Sequence, residues 1–168
     1  MTIVSSVGIR GGDAGAIDTL TIMAELVNTS LVNPIVVAAA RELAVITAPA
    51  RDQYRQAIGI RSWLGRVWRF VDDPTDTELL RDPEQLLRDY FVRGYIAGDC
   101  DEAAVLGAAM GKAIGLGATF TVFAFAGDAT FSHVFASLLL SSGQIISLDV
   151  TKPTGSVPSP SRELTVEV

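Results

Sequence analysis

Cys100 is the only cysteine and His133 the only histidine in this chain of 168 residues. The cysteine lies in Gly98-Asp99-Cys100-Asp101-Glu102, ahead of a run of small residues that reads as a helix. The histidine lies in Phe131-Ser132-His133-Val134-Phe135, at the start of a strand. Asp149 follows in Ser147-Leu148-Asp149-Val150-Thr151, near the end of the next strand. A nucleophile, a base and an acid that orients the base, each on its own element, are what thiol acyl transfer requires.

A helix start favours the thiolate, because unsatisfied N–H groups and the helix dipole stabilise negative charge there. The same N–H groups can hold an oxyanion once a carbonyl is attacked. Asp99 and Asp101 work against the thiolate, so a protonated His133 would have to outweigh them. Their alternative role is to cap the helix. If the hairpin turns within Ser141-Ser142-Gly143, His133 and Asp149 fall opposite or nearly opposite each other with the same facing. Opposed Cβ atoms then lie roughly 4.5–5.5 Å apart, and a one-residue slip would separate the two side chains. Each residue also has a plainer reading: a small buried cysteine, a structural histidine, an aspartate at a strand end.

The elements that must position these residues are legible from periodicity and punctuation. After an arm ending in Gly11-Gly12, Ile17, Leu20, Ala24, Val27 and Leu31 recur at helical spacing, with Asp13 or Asp18 as possible caps. Asn33-Pro34 starts a second helix. A third runs from Arg51 to Val71 with Tyr54, Ala57, Ile58, Leu64, Val67, Trp68 and Val71 on its buried face and its arginines in solvent. Asp82 caps a short helix that Pro83 opens. The cysteine helix spans Cys100 to Ile114 and ends at Gly115 or Gly117. Gly107 and Gly111, with Ala103 and Ala104, mark close packing against a sheet, and Trp63 and Trp68 read as core or rim residues. Strands are expected over Ala118–Ala126, Thr130–Leu140 and Gln144–Val150. Helices first and an antiparallel sheet last is α+β, with the cysteine helix packed centrally on a small sheet.

Length allows one domain, 1–151, able to bury roughly two-thirds of its unfolded surface. Residues 152–168 begin rich in Pro and Ser and read as a tail. Its last stretch, Leu164-Thr165-Val166-Glu167-Val168, alternates and suits a sheet edge in this molecule or a neighbour. The net charge of −6 argues against nucleic-acid binding, which needs clustered Lys and Arg. A single cysteine rules out an internal disulfide framework. No signal peptide and no membrane span is expected. Cytoplasmic synthesis is the expectation.

Four segments together resemble the transglutaminase-like superfamily, and within it the compact bacterial and phage-associated members. They are Gly98-Asp99-Cys100-Asp101-Glu102, Leu116-Gly117-Ala118, Phe131-Ser132-His133-Val134-Phe135 and Leu148-Asp149-Val150-Thr151. Val71-Asp72-Asp73-Pro74 and Asp82-Pro83-Glu84 are similar to the family's lead-in. The resemblance spans Ile17 to Lys152, with firm motifs from Gly98 onward. It implies Cys100 as nucleophile, His133 as general base and acid, and Asp149 as orienting acid, in papain-like geometry. Members include amide-crosslinking enzymes, peptidases, deamidases and proteins that have lost activity.

Other constellations are poorer. Gly115-Leu116-Gly117-Ala118-Thr119-Phe120 lacks the third glycine of a dinucleotide fingerprint and follows a helix. Asp99, Cys100, Asp101 and His133 make a weak zinc set. No cofactor and no metal is expected.

The expected function is cysteine-dependent acyl transfer on amide bonds, through a thioester at Cys100. Hydrolysis stands ahead of crosslinking, because water is always present and no amine-donor pocket is legible. The substrate would be a peptide or protein amide, cell-wall peptide included. The Cys100 backbone N–H would hold the oxyanion; the side-chain contributor stays open among Gln85, Tyr90, Tyr95 and others. The alternative is a structural or interaction module of a phage virion or tail assembly that keeps the fold. Its partners would be virion or tail neighbours, or a second copy of the chain.

Overall fold

Residues 12–48, 52–73, 79–151 and 160–168 are described by the computed structural model. They run α1 (Asp13–Ser30), α2 (Pro34–Thr47), α3 (Gln53–Val67), β1 (Trp68–Phe70), α4 (Pro83–Arg93), β2 (Ile96–Gly98), α5 (Cys100–Ala113), β3 (Gly117–Ala124), β4 (His133–Leu139), β5 (Ile145–Ser147) and β6 (Arg162–Glu167). The chain is α+β, as its order of helix and strand signals implies. The arm expected before Gly12, and residues 152–159 of the Pro/Ser-rich segment, lie outside the described residues.

Capping residues set the helix starts. The side chains of Asn33, Asp52, Asp82 and Asp99 each accept backbone N–H groups in the first turn of α2, α3, α4 and α5. α1 differs: its cap position is Gly12, with no side-chain hydrogen bond, and Asp13 lies inside the first turn. Gly115, at φ 90°, ends α5, a backbone conformation that glycine adopts without strain.

α5 is the centre of the molecule. Every residue from Glu102 to Gly111 is buried, so the helix is enclosed all round. The other helices cover one side and the sheet covers the other. Two glycines permit the close approach to the sheet. A Cβ on Gly111 would sit 2.2 Å from Leu138 Cδ2, and one on Gly107 would sit 2.8 Å from Leu148 Cδ1. The sequence expectation of close helix–sheet packing is met there.

The main sheet has the order β5-β4-β3-β6, antiparallel throughout. Phe120, Val122, Val134, Ala136 and Leu138 lie in the core shared with α5. Strand alternation puts His133, Phe135 and Phe123 on the opposite face, where their rings cluster with centroids 5.0 Å (Phe123–His133) and 5.8 Å (Phe123–Phe135) apart.

One element departs from the sequence reading. The arginine-rich helix does not reach Val71. It stops at Val67, and Trp68–Phe70 pairs in parallel with Ile96–Gly98. Aromatic side chains suit a pleated surface, and the Trp68 indole N–H donates to Gly98 O at 3.1 Å. Val71 N–H donates to the same oxygen at 3.0 Å, so the chain is held two residues before the cysteine. Of the two partners open to the terminal stretch, the chain's own sheet takes it: β6 pairs with β3 from Glu167↔Thr119 to Arg162↔Ala124. The sheet therefore draws its fourth strand from the segment that the sequence sets apart as a tail.

Among the described residues, no single helix is long and apolar enough to cross a membrane. α1 and α2 reach that length and hydropathy only as a pair, bent by 81°.

Candidate active site

Cys100 is the first residue of α5, and its neighbours in sequence decide how that helix starts. Asp99 Oδ1 accepts the N–H groups of Asp101 at 3.1 Å and Glu102 at 3.3 Å. The Asp99 carboxylate thus takes the cap role that the sequence left open to it. The Cys100 N–H has no acceptor within its own helix.

Glu102 fixes the same turn from below. Its carboxylate is 3% exposed and pairs with Arg81, Nε to Oε1 at 2.5 Å and Nη2 to Oε2 at 2.8 Å. Arg81 also donates to Asp89 at 2.9 Å and to the carbonyl of Ala97. One guanidinium therefore ties α4, β2 and the start of α5 together. The hydrogen bonds it donates to Glu102, then the negative charge of that carboxylate, hold the Arg81 pKa above its ordinary value against the opposing effect of burial. Gly98 leaves the space for this pair, because a Cβ there would lie 2.1 Å from Glu102 Oε2. Nothing in the sequence singles out the Arg81–Glu102 pair: a polar connector and an acidic flank do not announce that they meet.

The thiol is held in its protonated form. Burial pushes its pKa far up, and the nearby Asp101 and Asp99 carboxylates push the same way. The Val134 backbone N–H faces the sulfur and works in the other direction. The thiol donates to Asp101 Oδ1 at 3.4 Å. No hydrogen bond between Cys100 and His133 is present. The helix start alone therefore does not make a thiolate here.

His133 and Asp149 do meet. Nε2–H of His133 donates to Asp149 Oδ2 at 2.9 Å. Asp149 Oδ1 in turn accepts the N–H of Thr151 at 3.2 Å and its hydroxyl at 3.1 Å. Burial would raise the Asp149 pKa, but the His133 hydrogen bond and charge and the two Thr151 donors lower it on balance. The hairpin turns at Ser141–Gly143, with Ser137 paired to Ser147 and Leu138 to Ile146. Extended by two residues, that register sets Phe135 opposite Asp149, so the aspartate reaches His133 diagonally. Same facing and near-opposition, both read from the sequence, hold; direct opposition does not.

Cys100 and His133 line one cavity of about 330 Å³. Val134, Asp99 and Asp101 border it too, and α1 closes it with Gly12, Gly15, Ala16 and Thr19. Asp149 lies outside that cavity. It borders a second space of about 310 Å³ with Phe123, Phe135 and Ser147. His133 thus stands between the cysteine cavity and its aspartate. The contribution of α1 to the cavity was not read from the sequence, where its small residues look like ordinary helix packing. Gln85, Tyr90 and Tyr95 are absent from the cavity lining, and Tyr90 packs edge-on against Trp63, with centroids 5.2 Å apart.

Ligand atoms of Asp99, Cys100 and Asp101 lie within 4.8 Å of one another. One thiol and two carboxylates without an imidazole fit zinc poorly, and Asp99 Oδ1 is already engaged in capping.

No protein-family model matches the chain, and no curated protein matches it. Among solved structures, the chain is similar to a protein from Parabacteroides distasonis described as a "putative protease". The TM-score is 0.58 at 16% identity, over 77% of this chain and 26% of that protein. The chain thus spans about a quarter of that protein's length. The likeness is one of fold.

Proposed function

We propose that this chain is a transglutaminase-like, cysteine-dependent enzyme that transfers the acyl group of an amide through a thioester on Cys100. The observation that carries the reading is the His133–Asp149 hydrogen bond beside the cavity that holds Cys100. A carboxylate on Nε2–H fixes the tautomer and leaves the Nδ1 lone pair to act as base.

In the proposed reaction, Nδ1 of His133 takes the thiol proton as Cys100 Sγ bonds to the amide carbon. The carbonyl electron pair moves onto oxygen, where the Cys100 N–H receives it. The oxyanion collapses, the C–N bond breaks, and the imidazolium gives its proton to the leaving amine. Water then enters by the reverse proton path, releasing the acid and restoring the thiol. A thiol protonated at rest suits this scheme, because the proton leaves only as the attack proceeds. The substrate is a peptide or protein amide, cell-wall peptide included, and water is favoured over an amine as acceptor. The naming of the structural neighbour as a protease supports the peptidase form of the reading.

The test is turnover of peptide amides followed by mass spectrometry, with Cys100→Ala and His133→Ala beside the wild type. Loss of cleavage in Cys100→Ala and slowing in His133→Ala are expected. Undiminished cleavage by Cys100→Ala would end the proposal.

A second reading has its own observation. The thiol is held protonated, bonds to Asp101 and has no hydrogen bond to His133. That arrangement suits a structural or interaction module, a virion or tail component included, that keeps the fold without the chemistry. Labelling of Cys100 by iodoacetamide only after denaturation would favour it.

A further inference from the structure

We infer that the hydroxyl of Thr19 is the side-chain hydrogen-bond donor to the oxyanion in the Cys100 cavity, the partner of the Cys100 backbone N–H. The assignment rests on the acyl-transfer reading above and names a residue for it from α1, well ahead of the firm motifs that begin at Gly98.

Two observations support it independently. The first is an unpaired hydroxyl. Thr19 is 9% exposed and lines the cavity, and among the described residues its hydroxyl makes no hydrogen bond. No buried side-chain oxygen or nitrogen among them lacks a partner, so this hydroxyl is one that opens to solvent. The other threonines of α1 show the usual solution for a helix: Thr21 donates to Ile17 O at 3.0 Å and Thr29 to Glu25 O at 2.9 Å. Thr19 does not take that option. Its equivalent acceptor belongs to Gly15, and Gly15 and Ala16 border the same cavity with almost no side chain. Space and an available donor coincide there.

The second observation is elimination within the cavity. An oxyanion needs donors aimed at the position where charge develops. Asp99 and Asp101 are acceptors when ionised. Ser132 lines the cavity, but it is exposed and its hydroxyl donates to Asp128. His133 is committed to the proton path. The remaining lining side chains from Gly12 to Val134 carry no N–H or O–H donor apart from Thr19. In the step itself, the Cys100 Sγ–C bond forms while the carbonyl π pair moves onto oxygen. The Thr19 O–H donates to that oxygen without giving up its proton.

The experiment compares two reactions at Cys100 in the wild type, Thr19→Val and Thr19→Ser, mapped by peptide mass. Acetylation by p-nitrophenyl acetate passes through an oxyanion and expels p-nitrophenolate. Alkylation by iodoacetamide displaces iodide and forms no oxyanion. Thr19→Val keeps the shape without the hydroxyl, and Thr19→Ser keeps the hydroxyl should the first variant prove unstable. Expected is a loss of at least about tenfold in acetylation relative to alkylation for Thr19→Val, with Thr19→Ser near the wild type. An unchanged ratio in Thr19→Val, or an equal fall of the ratio in both variants, overturns the assignment and leaves the acyl-transfer reading standing. A folded wild type whose Cys100 reacts with neither reagent fails the acyl-transfer reading itself, and this assignment with it.

Discussion

The Asp101 carboxylate stands 3.4 Å from the Cys100 sulfur and accepts its proton in a hydrogen bond. With burial and Asp99 acting in the same sense, the thiol titrates well above its ordinary range. Alkylation of the wild type at Cys100 is therefore expected to keep climbing with pH, with no plateau up to about pH 10. Asp101→Asn removes one opposing charge and should speed alkylation at pH 8 by about tenfold, the equivalent of one pKa unit. A plateau near the pKa of free cysteine, in either protein, would contradict this account.

Asp149 gives a second pH signature, and its sign is opposite. Its pKa is lower in the fold than in the unfolded chain, so it contributes stability above the ordinary carboxylate range. That contribution is lost as pH falls through the folded value. The stability gap between wild type and Asp149→Asn should be full at pH 6 and shrink as the solution is acidified below about pH 4. Denaturant melts at several pH values measure it. If acyl transfer is the function, Asp149→Asn also lowers kcat by about a hundredfold or more, because the imidazole loses its tautomer lock.

Glu102 carries a structural prediction. Removing one partner of a buried ion pair strands the other charge, at a cost of about 3–5 kcal/mol. Arg81→Ala strands the Glu102 carboxylate, the more buried partner, and is therefore expected to lower Tm by roughly 10 °C or more for a chain of this size. Glu102→Ala leaves Arg81 paired with Asp89 and should destabilise less. Calorimetry would refute the clamp if Arg81→Ala melted within about 2 °C of the wild type.

Gly111 sets two effects against each other. Alanine in a helix interior gains roughly 1 kcal/mol over glycine. Its Cβ would meet Leu138 Cδ2 at 2.2 Å in a filled core, and overpacking costs about 1–3 kcal/mol. Gly111→Ala should be destabilising on balance, and Gly111→Val more so. A stabilised Gly111→Ala in urea melts would show that Leu138 moves aside freely.

Much of this arrangement could be read before any coordinates. Asp99 as a cap, Cys100 at a helix start and a hairpin bringing Asp149 to His133 all follow from local rules, namely side-chain capping, glycine termination and strand parity. Parity is robust because a slip of one residue reverses the face, whereas a slip of two preserves it. Asp149 does reach the correct face, two positions from direct opposition. What escaped the sequence is non-local. β1 and β2 are three residues each, too short to show a period, so Trp68 reads as the continuation of a helix. Arg81 finds Glu102 across 21 positions. Thr19 enters the cavity because α1 folds over α5, which no spacing along the chain reveals.

β6 also bears on how the molecule assembles. Its partner, β3, lies deep in the sheet order but is made long before it, with a hairpin and residues 152–159 between them. During synthesis, α5, β3, β4 and β5 can come together while one edge of β3 remains open, its Phe120, Val122 and Phe123 flanked by unpaired backbone groups. Such an edge templates pairing with other chains. The interval before β6 arrives is then when this protein is most exposed to aggregation, and chains cut short after Val150 would carry that hazard permanently.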